Sequence, residues 1–189
     1  MTDCKDFEVS STGYSTIIKL GNVNYFCSDG INGGGRKNIL TYRSKIMSDI
    51  KKKEINFDFV PSSKIRYYEL GKITEKIPSV IYNFDISAAY PSALHKLGFI
   101  SDEVMNGLMK LKKVDRLKAI GSIATRKTIT KFIKGKPQDA EIKENKIGRD
   151  IFFLLCYEIG ELMFKIRMEI KSFLFFWFDG IYFTDINEK

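Results

Sequence analysis

Apolar residues cluster in the second half of the chain, and their spacing separates one long helix from several strands. Between residues 148 and 171 the segment IFFLLCYEIGELMFKIRMEI carries apolar side chains at helical intervals. Residues 79–85, SVIYNFD, form a short apolar run rich in strand-forming residues. The segment FLFFWF-DG-IYF predicts two strands joined by a two-residue turn at Asp179-Gly180. We therefore expect a buried helix packed on strands.

Shorter patterns predict the remaining elements. Residues 14–28 suggest a hairpin that turns at Gly21-Asn22, whereas helices are expected over 39–54, 87–97 and 101–118. Gly98 stands where a helix C-terminal cap would lie. The basic stretch Arg126 to Lys136 could be helix, loop or both, and 55–77 is mixed. This order of elements predicts an α+β fold.

Composition narrows the chemistry that the chain can perform. It contains 31 basic and 23 acidic residues, for a net charge of +8, and such a surface favours polyanions. Three scattered cysteines suggest neither disulfides nor a zinc site, and one histidine disfavours histidine-based catalysis. No long apolar run or secretory signal is present, so we expect no membrane association and a cytoplasmic protein. Any catalysis would depend on carboxylates and metal.

Two aspartates stand at positions where a carboxylate can reach a cleft. Asp85 lies at the junction of a predicted strand and helix, although a helix cap explains it equally simply. Asp179 lies at the tip of the predicted hairpin, where Asp-Gly is also a common turn sequence. Because the strands around both are apolar, the two strand ends could form a hard oxygen site suited to Mg²⁺.

These segments resemble sequence motifs of family B DNA polymerases. NFDISAAYPSAL is similar to motif A, D-x-x-S-L-Y-P-S, with Asp85, Tyr90, Pro91 and Ser92 in register. FWFDGIYF resembles motif C, with Asp179 aligned to its second aspartate. RLKAIGSIATRK resembles motif B only at Ser122. The resemblance covers roughly residues 79–185.

The resemblance implies a polymerase palm: an antiparallel sheet backed by helices, with a short helical fingers-like insertion. Residues 1–77 would be a β-rich region with a glycine-rich loop, and 78–189 the palm, with the insertion at about 101–147. It implies a DNA primer-template and deoxynucleoside triphosphates as partners, and two Mg²⁺ ions, for which Mn²⁺ can substitute. Asp85, Asp179 and the carbonyl of Ile86 would hold the metals. Nucleotide contacts are implied for Ile86, Ser87, Tyr90, Arg116, Lys118 and Ser122.

Some of these residues also have ordinary structural explanations. Tyr90 could be a core tyrosine, and Arg116 and Lys118 could belong to a solvated basic helix face. The segment GGGRK resembles a template-contacting loop of protein-primed phage and plasmid relatives, which implies DNA contacts from Gly34, Gly35, Arg36 and Lys37. A plain flexible linker explains this glycine cluster equally well. A phage or plasmid origin would place the protein in the cytoplasm of a bacterial host cell.

The chain also departs from the polymerase pattern. Trp177 stands at the place of the first motif C aspartate, and motif B is poorly matched. Exonuclease and thumb segments are not recognisable, so a second subunit could supply those functions. Three functions therefore stay open: metal-dependent nucleotide transfer, a catalytically weakened palm-like protein that binds nucleic acid or a replication partner, and an unrelated basic interaction module.

Overall fold

The structure is a computed structural model and describes residues 6–12, 15–27, 33–53, 58–71 and 80–184. This part of the chain has the predicted α+β class, with two antiparallel sheets and five α-helices. The strands are β1 (Phe7–Thr12), β2 (Ser15–Leu20), β3 (Val23–Cys27), β4 (Tyr68–Leu70), β5 (Tyr82–Asp85), β6 (Arg126–Ile133), β7 (Lys136–Pro137), β8 (Glu141–Glu144), β9 (Phe173–Trp177) and β10 (Gly180–Phe183). The helices are α1 (Gly33–Lys52), α2 (Ala89–Lys96), α3 (Asp102–Met109), α4 (Lys113–Gly121) and α5 (Lys146–Glu169).

The predicted hairpin near the end of the chain forms the centre of one sheet. Its four strands follow the order β4-β9-β10-β5, so β5 lies directly beside β10. Helix α5, close to its predicted bounds, packs against one face of this sheet. Ile159 and Met163 of α5 meet Phe176 and Ile181 of the hairpin in a shared apolar cluster. Burial of these side chains fixes the sheet on the helix.

A second core holds helices α1 to α4 against the first half of α5. Its fully buried members include Ile46, Leu94, Leu108 and Ile151, one from each of four helices. The predicted helix over 101–118 is divided into α3 and α4. Gly98 has φ +77° at the end of α2, as expected for a glycine cap. In the described part of the chain, no helix is long and apolar enough to cross a membrane.

The other sheet follows the order β3-β2-β1-β6-β7, with β8 paired to β6. Hairpin β2–β3 was predicted, and Gly21 in its turn has φ +57°. The prediction of helix or loop for the basic stretch Arg126 to Lys136 is wrong, because most of it is strand β6. Its lysines obscure the strand pattern, but β6 is paired with β1 on one side, where Ser10 faces Ile129, and with β7 and β8 on the other. One of its partners is thus more than 100 residues away.

The glycine cluster also differs from its prediction. Helix α1 begins at Gly33, so Gly34, Gly35, Arg36 and Lys37 belong to a helix and not to a flexible loop. The earlier glycine, Gly30, lies outside the described residues. Glycine is unfavourable in a helix, but the buried residues Ile39, Ile46 and Ile50 anchor α1 to the core. Packing therefore extends the helix beyond what local propensity predicts.

Strand pairing crosses the boundaries predicted between the two regions. β4 lies before residue 77 but joins the sheet that contains β5, β9 and β10. β6 and β8 lie within the predicted insertion at 101–147. They pair with each other, and β6 also pairs with the N-terminal strand β1. The insertion is therefore helical only in its first half.

Candidate active site

The two aspartates lie at the same end of two neighbouring strands. Strand β5 runs antiparallel to β10, and Asp85 at its end pairs with Gly180 at the start of β10. The backbone N–H of Ile86 donates to the carbonyl oxygen of Asp179 at 2.9 Å. Two residues that are 94 positions apart in the chain are thereby brought to one sheet end. A site shared by the two carboxylates requires this arrangement, whereas a helix cap and an unrelated turn residue do not.

The tip of the hairpin differs from the predicted Asp-Gly turn. Trp177 pairs with Gly180, so the turn residues are Phe178 and Asp179. Phe178 has φ +52°, a left-handed conformation that costs a non-glycine residue roughly 1 kcal/mol. Its N–H donates to the carbonyl of Tyr67 at 2.7 Å, and its ring meets the Tyr67 ring edge-on. These contacts hold the strained turn and fix the position of Asp179.

A second strained residue follows the first aspartate. Ala88 has φ 53° and ψ 42° at the start of α2, where a glycine would be easier to accommodate. This bend turns the chain from β5 into α2. Left-handed residues that are neither glycine nor asparagine are uncommon, and they often occur at functional sites. Each aspartate therefore lies close to an unusual backbone conformation.

Asp85 and Asp179 line one pocket with a volume of about 260 Å³. The continuous segment 85–91 forms one side of this pocket, and Lys113, Arg116 and Leu117 of α4 form another. Of the predicted nucleotide-contacting residues, the pocket contains Ile86, Ser87, Tyr90 and Arg116. The segment that resembles motif A therefore supplies most of its surface.

Two predicted contact residues lie elsewhere. Ser122 is buried at the end of α4, and its hydroxyl donates to the carbonyl of Ala119 at 2.7 Å. Lys118 is two residues beyond Arg116, so it points to a different side of the helix from the pocket-lining positions. Lys37 is exposed on α1, and the side chain of Arg36 lies outside the described part. These residues are not part of the pocket surface that the structure describes.

Sequence reasoning missed Lys113. Its ammonium nitrogen lies 3.6 Å from a carboxylate oxygen of Asp85, and both side chains are more than half exposed. The ion pair joins α4 to the end of β5 across the pocket. The spacing of basic residues in 110–118 could have indicated Lys113. Residues three or four positions apart lie on one helix face, so Lys113 is expected on the same face as Arg116. At this exposure the pair contributes little to stability.

Arg116 is the more buried cation of the pocket. Its Nε atom is inaccessible and has no hydrogen-bond partner within the described ranges, while Nη1 lies 3.9 Å from the sulfur of Met109. A guanidinium that is incompletely hydrogen-bonded is costly to bury. Because Arg116 lines the pocket and always carries a positive charge, it is suited to bind an anion there.

Tyr90 belongs both to the pocket and to the core. Its ring stacks on Phe152 of α5, with centroids 6.0 Å apart and planes inclined by 5°. Burial raises its pKa above the usual value for tyrosine, and the charge of Asp179 adds to this increase. Its hydroxyl also interacts with Cys156, whose pKa burial raises to about 11. Tyr90 is therefore a partly buried core tyrosine that also lines the pocket.

The pocket offers two carboxylates as candidate metal ligands. No set of three or more histidine, cysteine, aspartate or glutamate side chains is arranged to hold a metal within residues that the structure describes. Asp85 and Asp179 nevertheless supply the hard oxygen donors that Mg²⁺ and Mn²⁺ prefer, and water commonly completes their coordination shells. Asp85 already attracts one cation, the ammonium group of Lys113.

Comparisons with protein-family models, with curated proteins and with solved structures gave no match to this chain.

Proposed function

We propose that this chain is a metal-dependent nucleotidyltransferase of the DNA polymerase type, which adds deoxynucleotides to a primer. The register of β5 against β10 carries the proposal, because it places Asp85 and Asp179 at one sheet end and in one pocket. The segment that resembles motif A also lines the pocket, through residues 85–91. A palm-like organisation is part of the same proposal, supported by the sheet and by α5 behind it.

The polar residues of the pocket have distinct roles in this reaction. Asp85 and Asp179, with the carbonyl of Ile86, would hold two Mg²⁺ ions, which lower the pKa of the primer 3′-hydroxyl and neutralise phosphate charge. The 3′-oxygen attacks the α-phosphorus, its proton leaves to solvent, and the bond to pyrophosphate breaks. Arg116 binds the triphosphate, since it lines the pocket and always carries a positive charge. Tyr90 and Ser87 border the space for the sugar.

Lys113 has a role in this scheme that the sequence did not suggest. Its ammonium group balances the charge of Asp85 before substrate and metal enter. Because the Lys113 side chain is 68% exposed, it can leave Asp85 at little cost and turn toward a phosphate. Asp85 would then be free to hold a metal ion.

A primer-extension assay tests the proposal. The protein is incubated with a primed DNA template, labelled deoxynucleotides and Mg²⁺ or Mn²⁺, and incorporation is measured with and without a chelator. Asp85→Asn and Asp179→Asn should each lower incorporation at least a hundredfold, because asparagine retains the shape but not the charge. Asp139→Asn, at an exposed position between β7 and β8, is the matched control.

The assay has clear unfavourable outcomes. Incorporation that survives in both asparagine variants, while circular dichroism shows native folding, would assign the activity to other residues or to a contaminant. Complete inactivity of the purified wild-type protein with DNA, RNA and protein primers, in Mg²⁺ and in Mn²⁺, would overturn the proposal.

Two observations favour a second function, a palm-like protein that binds nucleic acid or assists replication without catalysis. Trp177 lies where motif C has its first aspartate, and Lys113 already pairs with Asp85. In that case the protein binds primed DNA, but Mg²⁺ has no effect on its stability or on incorporation. Thermal unfolding with and without about 10 mM Mg²⁺ separates the two, because a ligand that binds only the folded state raises its stability.

A further inference from the structure

Aromatic side chains cover the face of the β4-β9-β10-β5 sheet opposite α5. Tyr68, Trp177, Gly180 and Asp85 are paired in one row across the four strands. Directly paired residues point to the same face of a sheet, so the aromatic pair and the carboxylate share one face. The adjacent row, with Phe176 and Ile181, is buried against α5 on the other face.

The rings on this face form two stacked pairs. Tyr68 and Trp177 have ring centroids 6.0 Å apart, and both side chains are about 60% exposed. Two residues further along the strands, Phe175 and Tyr182 stack with centroids 4.3 Å apart. Large exposed aromatic surfaces of this kind usually mark an interaction site. We name the residues Tyr68, Trp177, Phe175 and Tyr182 the aromatic strip.

One basic residue, Lys113, contacts Asp85 at one end of the row that contains Trp177, and other basic residues lie close to it in the sequence. Residues 110–118 contain Lys110, Lys112, Lys113, Arg116 and Lys118 against one acid, Asp115. Lys113 reaches Asp85, which lies on the face of the strip, so α4 is placed beside this end of the sheet. The chain as a whole carries a charge of +8. An aromatic surface beside clustered cations suits a partner that has flat rings and a polyanionic backbone.

We propose that the aromatic strip binds unpaired bases of a single-stranded nucleic acid, with Trp177 stacking on the base nearest the pocket. Neighbouring strands lie about 4.8 Å apart, so Trp177 and Asp85, two strands apart, are separated by roughly 10 Å. This is about the dimension of one nucleotide. A base on Trp177 therefore places its own sugar and phosphate near Asp85 and the α4 cations. Trp177 would thus contribute a stacking surface at the position where a motif C aspartate is otherwise expected.

This inference deepens the proposed function, but its test needs neither metal nor turnover. Trp177 is the only tryptophan in the chain, so its fluorescence reports directly on the strip. Titration of the protein with a twelve-nucleotide oligothymidylate in the presence of a chelator should quench this fluorescence saturably. Raising the salt from about 50 to 200 mM should weaken binding steeply, because phosphate contacts release counterions. Duplex DNA of the same length should quench less, since its bases are already stacked.

Variants assign the binding to the strip. With a fluorescein-labelled oligonucleotide and anisotropy as the readout, Trp177→Ala should lower affinity about 5-fold to 100-fold, the range for loss of one stacked base. Trp177→Phe should recover part of this loss, and it guards against misfolding of the alanine variant. Tyr25→Ala removes a ring of similar exposure from the other sheet and should leave the affinity unchanged.

Several results would overturn the inference. Unquenched Trp177 fluorescence at saturating oligonucleotide, or unchanged affinity in both Trp177 variants, would show that bases do not stack there. A shift of the fluorescence with protein concentration alone would mean that a second copy of the chain covers the strip. Oligonucleotide binding that persists in Asp179→Asn, with no incorporation by the wild type, would refute nucleotide transfer and leave this inference intact.

Discussion

Replacing Gly180 with alanine should disturb the candidate active site without unfolding the protein. Gly180 begins β10 and has a strand backbone, so alanine can adopt its conformation. A β-carbon built at this position lies 2.9 Å from a carboxylate oxygen of Asp85. The neighbouring atom belongs to the end of a side chain and not to the backbone, so the carboxylate can move away.

The size of the displacement follows from ordinary contact distances. Relaxation from 2.9 Å to a normal separation near 3.4 Å moves the carboxylate oxygen by about 0.5 Å. A misplacement of about 1 Å can cost roughly 100-fold in rate, so half of it should cost about tenfold. Alanine also loses less conformational freedom than glycine when a strand forms, which contributes roughly 0.5 kcal/mol in favour of folding. The unfolding free energy should therefore change by less than about 1 kcal/mol.

Three measurements check this prediction: primer extension, Mg²⁺ titration by calorimetry, and urea unfolding. Gly21→Ala is a contrasting control, because its site is open but its φ is +57°. That variant should lose roughly 1 kcal/mol of stability and keep full activity. Normal metal affinity and normal incorporation in Gly180→Ala would refute a metal role for Asp85. This holds equally if the variant loses stability while metal affinity and incorporation stay normal.

Two further predictions concern Arg116 in the pocket and the buried residue Cys156. Arg116→Ala should raise the KM for the nucleotide at least about tenfold, because a charge-assisted hydrogen bond is lost. The control variant Lys118→Ala should have little effect on this KM. Equal effects of the two variants in steady-state kinetics would contradict the assignment of Arg116 to the pocket. The unfolding free energy should be steady below pH 9 and fall between pH 9 and 11, because burial raises the pKa of Cys156 to about 11 and the unfolded thiol ionises first. Urea unfolding of the wild type and of Cys156→Ala over this range measures the effect, and identical slopes in both proteins would exclude it.

The sequence by itself predicted the elements whose patterns are strong over many residues. Helix α5, strand β5 and hairpin β9–β10 were expected from apolar periodicity, and hairpin β2–β3 from its Gly21-Asn22 turn. Helix α5 and hairpin β9–β10 bury part of their apolar side chains against each other, so for them local pattern and tertiary packing favour the same conformation. The class of candidate chemistry was also predictable, since aspartates at the ends of apolar strands are few and conspicuous.

Only the tertiary structure decided which residues meet. Strand β6 forms between β1 on one side and β7 and β8 on the other, and its own lysine-rich sequence does not distinguish it from a loop. Helix α1 extends into the glycine cluster because its isoleucines are anchored in the core. The hairpin turn moved one residue from the Asp-Gly position, held by contacts to Tyr67 that lie outside the hairpin sequence.

The candidate active site likewise depends partly on local sequence and partly on the tertiary structure. The choice of Asp85 and Asp179 came from sequence, but their common pocket depends on the pairing of β5 with β10. The contact from Lys113 and the separation of Arg116 from Lys118 depend on how α4 is rotated above the pocket. Helix rotation is set by the buried residues Ala119 and Ile120 packing into the core. Local sequence determines what each element can be, whereas long-range burial determines which side chains share a cleft.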